Sequence, residues 1–395
     1  MTQLDGLLAS GRLLVCCGSG GVGKTTVAAS LALAGANRGL KACVVTIDPA
    51  RRLADALGLE TLPNEAHRVP LGDDTAGELW ALMLDPKATF DALVRRYADN
   101  EAQAEQILDN KLYSNVSGGL SGTQEYMAAE KLFELSEEGG FDLLVVDTPP
   151  SRNALDFLEA PARLSRFLDN RLFRMVVMPG RGYMRAVGLA AQAFVRTVAR
   201  VVGAEVVDDA VAFFQAFEGM EEGFRERARA VDEMLAGDRT AFVLVASARR
   251  DTVSEALYFT DRLAEMKKSP QALVANRLHP RFGRTGEHTG EHTGEHPGTG
   301  ERFAAGEGEV SLSDLAAADR SRADSLGPES SLGSMYANLA DFRQVAEREE
   351  EVLARLVGRL ADAPVIRVPY LEGDVSDLEG LQLVAGILVA GTQAA

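Results

Sequence analysis

The chain has 395 residues, 46% of them hydrophobic, and a formal net charge of −17. This length allows one large domain or two, with ample apolar surface for a core. The acidic balance argues against a nucleic-acid-binding surface, which is basic, and against direct binding to anionic lipids. Residues 1–13 lack the basic start and long apolar core of a signal peptide, and no apolar run reaches the roughly 18 residues of a membrane span. We therefore expect a cytoplasmic protein.

The segment GSGGVGKTT, residues 18–26, predicts a phosphate-binding loop. Gly18, Gly23, Lys24 and Thr25 satisfy the pattern G-x-x-x-x-G-K-[ST]. The glycines allow backbone N–H groups to point at phosphate oxygens, the lysine reaches the β- and γ-phosphates, and the threonine hydroxyl ligates Mg²⁺. The apolar run RLLVCC before the loop predicts a buried strand, and the alanine- and leucine-rich run after it predicts a helix. This strand–loop–helix context is the one that the motif requires.

Two further apolar runs end in an aspartate. FDLLVVDTPP, residues 141–150, predicts a buried strand with Asp147 at its carboxyl end, where open α/β sheets place their ligands. KACVVTIDPARRL, residues 41–53, places Asp48 in the same way, where a carboxylate can orient an attacking water or hold a magnesium water. Both aspartates also fit a structural role, as an N-cap or as a turn residue before Pro49. The phosphate loop favours the ligand role for Asp147, whereas for Asp48 the residues leave both roles open.

GGVGKTT, TIDPARRL and VVDTPP, in this order, resemble the ArsA/Get family of P-loop ATPases, which comprises arsenite-pump ATPases and tail-anchored-protein targeting factors. Residues 79–86, 272–278 and 365–375 also resemble family segments, the last two from its adenine side. The resemblance covers nearly the whole chain, apart from a helical middle and one insert. It implies a SIMIBI-type P-loop NTPase fold, a doubly wound α/β domain over 1–395 with a mainly parallel sheet. It also implies ATP hydrolysis with Mg²⁺, coupled to closure of a dimer and to binding of a hydrophobic client.

The resemblance assigns roles to individual residues. Asp48 acts on the attacking water as the switch I carboxylate, and Asp147 is the switch II carboxylate near magnesium. Asn276 reads adenine, and Pro369 with the backbone after it forms the wall of the adenine pocket. The residues implied to bind phosphate and magnesium are Gly20, Gly21, Val22, Gly23, Lys24, Thr25 and Thr26, with Lys24 catalytic and Thr25 a metal ligand.

Ser19 departs from the family pattern. The family usually has lysine here, and the resemblance implies that this lysine reaches across a dimer to the partner's phosphates. A serine is short and uncharged, and loss of such a cation is worth orders of magnitude in rate. Three alternatives stay open: slow hydrolysis, a cation from a lysine-bearing paralogue in a heterodimer, or an arginine elsewhere. Arg51, Arg52 and Arg152 are candidates by position, although each is more typical of a solvated surface arginine.

The three cysteines, Cys16, Cys17 and Cys43, fall in predicted buried strands. Adjacent strand residues point to opposite faces, so Cys16 and Cys17 are poor joint ligands, and no C-x-x-C is present. The pattern favours core thiols in a reducing compartment. It disfavours the first alternative function, a metalloid efflux pump ATPase, and it gives no counterpart to the zinc-clamped dimer of the targeting factors. A second alternative is a hydrolysis-poor, ATP-binding partner subunit of a heterodimer.

Residues 87–240 are predicted to form a helical subdomain inserted into the sheet domain. Two stretches, 185–203 and 205–224, carry apolar stripes at helical spacing. These stripes fit either an ordinary core, which is the commoner case, or a methionine-lined groove for an apolar helix. The resemblance favours the groove over the core, because the targeting factors use a helical region here to bind their client.

A tandem T-G-E-H repeat occupies residues 284–302. His288, His292 and His296 recur every fourth residue, but the glycine in every repeat opposes a helix. The repeat therefore favours a flexible, low-complexity insert over a metal site. The polar composition continues, and we predict the insert over 284–332.

Overall fold

Among the described residues, eight short strands form one sheet in the computed structural model, and most of these strands are apolar. Several of them are buried over their whole length, as expected of strands covered on both faces. The strands are β1 Leu13–Cys17, β2 Lys41–Thr46, β3 His67–Val69, β4 Glu78–Met83, β5 Leu143–Asp147, β6 Thr240–Ala246, β7 Pro270–Leu278 and β8 Val365–Pro369.

The structure describes only part of the chain in enough detail for discussion. The described residues are 3–9, 13–48, 52–72, 75–110, 113, 123–169, 209, 212–213, 216, 219–281, 311–327, 329–360 and 363–390. The predicted amphipathic stretch 185–203, half of the residues in 205–224, and the T-G-E-H repeat lie outside them.

The strand order is β3-β4-β2-β5-β1-β6-β7-β8. β3 is antiparallel to β4 at one edge, and the other neighbouring pairs are parallel. β1 lies between β5 and β6, so the chain turns to opposite sides of β1, which is where open α/β sheets bind ligands. In register, Cys16 lies opposite Asp147, and Thr46 lies opposite Asp147 from the other side. The predicted doubly wound α/β fold with a mainly parallel sheet is confirmed.

Helices cover both faces of the sheet. The described helices are α1 Gln3–Ala9, α2 Lys24–Asn37, α3 Arg52–Ala56, α4 Pro86–Tyr97, α5 Glu101–Leu108, α6 Thr123–Glu138, α7 Ser151–Leu168, α8 Glu221–Ala236, α9 Arg250–Glu265, α10 Leu312–Leu326, α11 Ser331–Arg359 and α12 Leu378–Ala390. One core cluster joins α1, α2, α3 and α12 to one face, and a second joins α6, α7, α8, α9 and α11 to the other. None of these helices is long and apolar enough to cross a membrane.

The described part of the helical middle has a core of its own. Phe90, Tyr113 and Phe224 pack together, with ring centroids 5.2 Å apart for Phe90 and Tyr113 and 6.4 Å apart for Phe90 and Phe224. Met220 and Phe224 are both buried in this third cluster, which links α4, α5, α6 and α8. These two apolar positions from the middle of the chain therefore belong to a core. The remaining members of the predicted stripes lie outside the described residues.

The predicted insert over 284–332 differs from the structure at its carboxyl end. Its first part lies outside the described residues, but α10 occupies residues 312–326. Ser311 caps this helix by accepting a hydrogen bond from the Asp314 backbone N–H at 3.1 Å. Arg343 of α11 forms a buried ion pair with Asp319 of α10. A cap and a buried pair therefore order a segment whose polar composition predicted a flexible one.

Candidate functional site

The loop between β1 and α2 has the backbone that a phosphate-binding loop needs. Gly21 has φ of 77° and Gly23 has φ of 93°, both in the left-handed region that favours glycine. A methyl group on Gly18 would lie 2.2 Å from the carbonyl oxygen of Val245, so this position has no room for a side chain. α2 begins at Lys24 directly after Gly23, and its first N–H groups therefore open towards the loop.

Lys24 is buried in this loop, with its side chain turned back over it. Its Nζ donates a hydrogen bond to the carbonyl oxygen of Ser19 at 2.9 Å. Burial lowers the pKa of Lys24, and the nearby carboxylates of Asp147 and Asp48 partly oppose that effect. An ammonium group has three protons, so this contact leaves donors for an anion.

Asp147 is buried at the carboxyl end of β5 and binds two threonines. Thr25 Oγ1 donates to Asp147 Oδ2 at 2.7 Å, and Thr46 Oγ1 donates to the same oxygen at 3.1 Å. Burial raises the pKa of Asp147 to about 6, although the hydrogen bond from Thr25 and the charge of Lys24 lower it. α7 begins only at Ser151. The carboxylate is therefore engaged by the phosphate loop rather than by the start of the next helix.

The Thr25–Asp147 pair fits a magnesium ion. Mg²⁺ binds oxygen ligands and commonly takes only one or two of them from carboxylates, with the rest from waters and phosphates. Asp147 Oδ1 is buried and has no hydrogen-bond partner among the described residues. A buried carboxylate oxygen in that condition is costly unless a ligand satisfies it. Among the described residues, no three His, Cys, Asp or Glu side chains come together as ligands for a metal ion.

The raised pKa of Asp147 predicts a pH-dependent stability for the metal-free protein. Because the pKa is about 6 in the fold and 3.8 for the free group, the folded state binds more protons than the unfolded chain between these values. The stabilising contribution is present below about pH 4 and is lost as the pH rises through about 6. Relative to Asp147→Asn, which does not titrate, the wild type should lose about 2 kcal/mol between about pH 4.5 and about pH 7.

Urea unfolding midpoints of both proteins, measured at these two pH values in the presence of a chelator, give this difference directly. A difference between the two proteins that stays constant with pH would contradict the prediction.

Asp48 follows β2 in the same region. Its backbone N–H donates to Thr46 Oγ1 at 3.2 Å, and its charge is close enough to raise the pKa of Lys24. Residues 49–51 lie outside the described residues, so the cap role predicted as an alternative for Asp48 stays open. Arg52 is exposed and lowers the pKa of Lys24, whereas Arg51 and the side chain of Arg152 lie outside the described residues.

Asn276 and Pro369 lie at the carboxyl ends of β7 and β8. Asn276 is buried against the phosphate loop, where its Nδ2 donates to the carbonyl oxygen of Val22 at 2.8 Å. Beyond Pro369, the Tyr370 backbone N–H donates to the carbonyl oxygen of Leu278 at 2.8 Å. The exposed ring of Tyr370 meets the ring of His279 edge-on, with centroids 5.2 Å apart.

Two residues of this site are absent from the sequence-based prediction. Thr46 donates the second hydrogen bond to Asp147, and its only signal in the sequence is its place at the end of a strand two residues before Asp48. Arg277 donates from Nη1 to the carbonyl oxygen of Gly21 at 3.0 Å. The pattern of apolar residues gives no indication of that contact, which joins positions 256 residues apart.

The thiols lie beside the loop but inside the core. Cys16 belongs to the core cluster on the α2 face of the sheet and Cys17 to the cluster on the opposite face. All three cysteines are free and buried. Burial raises the pKa of Cys17 to about 12 and that of Cys43 to about 12, so neither is a ready thiolate.

The sequence of the chain matches a family of known proteins. The model of the family described as anion-transporting ATPase matches residues 11–285, which include the phosphate loop, Asp48, Asp147 and Asn276. A Halobacterium salinarum protein named as an arsenical pump-driving ATPase is 31% identical over 170 residues, which cover 40% of this chain and 25% of that protein.

Several fungal relatives carry the name ATPase GET3. The Kluyveromyces lactis protein is 29% identical over 181 residues, covering 42% of this chain and 50% of that protein. The Malassezia globosa protein is 25% identical over 279 residues, covering 70% of this chain and 76% of that protein. The match to the first two relatives therefore spans between a quarter and a half of their length.

Proposed function

The chain belongs to the anion-transporting ATPase family, and from this premise we propose that it is a Mg²⁺-dependent ATPase that hydrolyses ATP at the loop between β1 and α2. The observation that carries the proposal is the hydrogen bond of 2.7 Å between Thr25 Oγ1 and Asp147 Oδ2, beside the buried Lys24. It brings a carboxylate to the cation and the hydroxyl of the loop, from a position 122 residues beyond Thr25. Phosphoryl transfer depends on such positioning and charge stabilisation.

Each residue has a distinct role in this proposal. Backbone N–H groups of residues 20–26 hold the phosphates, and Lys24 stabilises the charge on the transferred phosphoryl group. Thr25 and Asp147 would hold Mg²⁺, which would supply positive charge to stabilise the phosphates during transfer. Asp48 orients the attacking water, and Pro369 with the backbone after it forms the wall of the adenine pocket.

Phosphate release tests the proposal directly. We expect the purified chain to release inorganic phosphate from ATP when Mg²⁺ is present and to stop when EDTA is added. ATP binding measured with an inactive analogue gives a second, independent readout. The proposal fails if the folded protein neither binds the analogue nor releases phosphate at any Mg²⁺ concentration.

We also infer that ATP closes a dimer of this chain and that the closed dimer binds a hydrophobic client. The inference is supported by the family to which the chain belongs. Molar mass by light scattering, with ADP and with the inactive analogue, tests the dimer. Binding of a labelled apolar helical peptide in the same two states tests the client, and equal binding in both contradicts the coupling.

A second candidate is a hydrolysis-poor partner subunit, and Ser19 favours it. The side chain of Ser19 is 4% exposed, and its hydroxyl has no hydrogen-bond partner among the described residues. It contributes no charge, and the ammonium group of Lys24 donates a hydrogen bond to the carbonyl oxygen of Ser19. Under this candidate, a lysine-bearing paralogue supplies the missing cation from across a heterodimer.

Ser19→Lys distinguishes the two candidates. We expect the wild-type chain to turn over slowly and Ser19→Lys to raise single-turnover hydrolysis by at least about tenfold, because a cation opposite the phosphates stabilises the loose transition state. Ser19→Met is the matched control, since it adds a side chain of similar length without the charge. Fast hydrolysis by the wild-type homodimer, with no gain from Ser19→Lys or from an added paralogue, would contradict the hypothesis that the site lacks a catalytic cation.

The metalloid pump alternative has less support. Its site requires accessible thiolates, and the three cysteines are buried in two separate core clusters. The Halobacterium relative with an arsenical pump name matches this chain over only a quarter of its own length. Stimulation of phosphate release by arsenite in the wild type, lost in Cys17→Ala, would restore this alternative.

A further inference from the structure

We propose that Thr46, at the carboxyl end of β2, is a positioning residue that couples the magnesium site to the residue that orients the attacking water. Its single hydroxyl group joins Asp147, which the proposed function assigns to magnesium, to Asp48, which it assigns to the water. The inference rests on the proposed function, because it concerns the same site. It gives a role to a residue that is absent from the sequence-based prediction.

The hydroxyl of Thr46 lies between the two acidic residues. Thr46 Oγ1 donates to Asp147 Oδ2 at 3.1 Å and accepts from the Asp48 backbone N–H at 3.2 Å. A hydroxyl has one proton and two lone pairs, so it serves both neighbours at once. The carbonyl oxygen of Asp48, at 3.4 Å, is a second acceptor for the same proton. The carboxylate is closer, and an ionised acceptor makes the stronger hydrogen bond.

Thr46 can hold both groups because it is itself fixed in the sheet. It is buried, and its strand is paired on both sides. Its carbonyl oxygen accepts from the Leu84 backbone N–H at 3.0 Å, just after β4, and the next backbone N–H, that of Ile47, donates to the carbonyl oxygen of Asp147 at 3.1 Å. A branched Cβ also makes threonine stiff about χ1. The hydroxyl is therefore a rigid reference point.

The contact with Thr46 also determines which oxygen of Asp147 is left for a ligand. Thr25 and Thr46 both donate to Oδ2, at 2.7 Å and 3.1 Å, and two donors on one oxygen resist rotation of the carboxylate. Oδ1 is buried and has no hydrogen-bond partner among the described residues. A buried oxygen in that condition needs a ligand. Thr46 therefore helps to keep Oδ1 available for magnesium or for a water bound to it.

A coupling follows from the shared hydroxyl. A ligand that binds Asp147 acts on the acceptor of the Thr46 proton, and the same hydroxyl accepts from the backbone of Asp48. Hydrogen bonds in such a chain polarise one another, so a change at one end alters the bond at the other. Loss of the hydroxyl should therefore affect magnesium binding and the orientation of the water. It should spare the binding of the phosphates by the loop and Lys24.

Thr46→Val tests the coupling, because valine keeps the branched shape and removes the hydroxyl. We would measure single-turnover phosphate release at saturating Mg²⁺, and the affinity of an inactive ATP analogue with Mg²⁺ and with EDTA. We expect release to slow by about tenfold or more, since the water is less well positioned. The affinity in EDTA should stay within about twofold of the wild type, because the loop is unchanged. The gain in affinity on adding Mg²⁺ should fall by about tenfold.

Two further variants separate positioning from stability. Thr46→Ser keeps the hydroxyl, so its phosphate release and its Mg²⁺ effect should stay within about threefold of the wild type. Thr240→Val is the matched control. Thr240 is a buried strand threonine at the amino end of β6, and its hydroxyl donates to the carbonyl oxygen of Met234 at 2.7 Å. This control should leave phosphate release and the Mg²⁺ effect unchanged.

A double-mutant cycle tests the link to Asp48. At saturating Mg²⁺, the hydroxyl of Thr46 acts on phosphate release through the water-orienting residue. Adding Thr46→Val to Asp48→Asn should therefore slow release by less than about threefold beyond Asp48→Asn alone, since residues that act as a unit are not additive.

Three results would overturn the coupling while the proposed function stands. The first is a Thr46→Val variant that releases phosphate as fast as the wild type or gains as much affinity from Mg²⁺. The second is an equal loss of affinity with Mg²⁺ and with EDTA, a lower Tm and no recovery in Thr46→Ser, because that pattern identifies a structural residue. The third is full additivity with Asp48→Asn. If the wild type itself neither binds the analogue nor releases phosphate, the proposed function fails, and the coupling fails with it.

Discussion

Lys24→Ala should abolish ATP hydrolysis and strongly weaken ATP binding. The lysine is the cation buried in the phosphate loop, and the substitution removes both its charge and its donors. Hydrogen bonds between charged groups contribute about 1.5–3 kcal/mol, so affinity should fall by about ten- to a hundredfold. Turnover should fall further, by at least about a thousandfold, because the charge on the phosphoryl group is largest in the transition state. Isothermal titration with an inactive analogue and single-turnover phosphate release measure the two effects.

The variant should remain folded, and this makes the result interpretable. Burial lowers the pKa of Lys24, so the charged side chain is held at a cost to the fold. Replacing it with alanine removes that cost, and we expect no drop in Tm. Lys87→Ala is the matched control, since its side chain is 60% exposed and pairs with Asp91 on the surface of α4. Near-normal binding and turnover in Lys24→Ala would mean that the loop between β1 and α2 is not the nucleotide site.

The phosphate loop and its strands could be predicted because their signals are local. A buried strand reads as a continuous apolar run, and the loop motif has a fixed spacing in front of a helix. The register then follows from the parallel sheet. Thr46 and Asp147 end neighbouring strands and lie opposite each other, so residues 101 positions apart meet at one edge of the sheet. The sequence contains both strand ends, and the parallel sheet supplies the contact.

The contacts of Asn276 and Arg277 with the phosphate loop could not be predicted, because they depend on a local irregularity of β7. The extra residue at Arg277 and its left-handed backbone direct two adjacent side chains to the loop. In a regular strand, adjacent side chains point to opposite faces. No pattern of hydrophobic residues indicates where such a bulge occurs. The role of Asn276 therefore came from resemblance alone, and its contact with Val22 was found only in the fold.

The start of α10, in the helical hairpin of α10 and α11, is indicated by a capping sequence, although the polar composition of this region favours a flexible segment. Residues 311–314 read SLSD, which matches the pattern of a helix start with a serine N-cap and an acidic residue three positions later. The repeat before it favoured a flexible interpretation of the whole acidic stretch. The partner of Asp319 is Arg343, on the next helix. The capping sequence was therefore enough to predict the start of the helix. The buried ion pair that stabilises it could be identified only from the tertiary structure.

Asp48→Asn should leave ATP binding largely intact and lower turnover sharply. A group that orients the attacking water acts mainly in the transition state, so its loss affects the rate and not the ground-state complex. We expect kcat to fall by about a hundredfold or more. The charge of Asp48 raises the pKa of Lys24, which places a negative charge near the triphosphate site. Its removal should therefore leave the affinity for ATP unchanged or slightly higher.

The measurement needs both quantities from the same preparation. Single-turnover phosphate release gives the chemical step, and titration with an inactive analogue gives the affinity. Asp55→Asn is the matched control, because Asp55 is an exposed aspartate on α3, seven residues further along the chain. Equal losses of binding and turnover in Asp48→Asn, together with a lower Tm, would instead identify Asp48 as a structural residue of the turn after β2. An unchanged kcat would transfer the water-orienting role to another group, since the substitution keeps the shape of the side chain and removes only its charge.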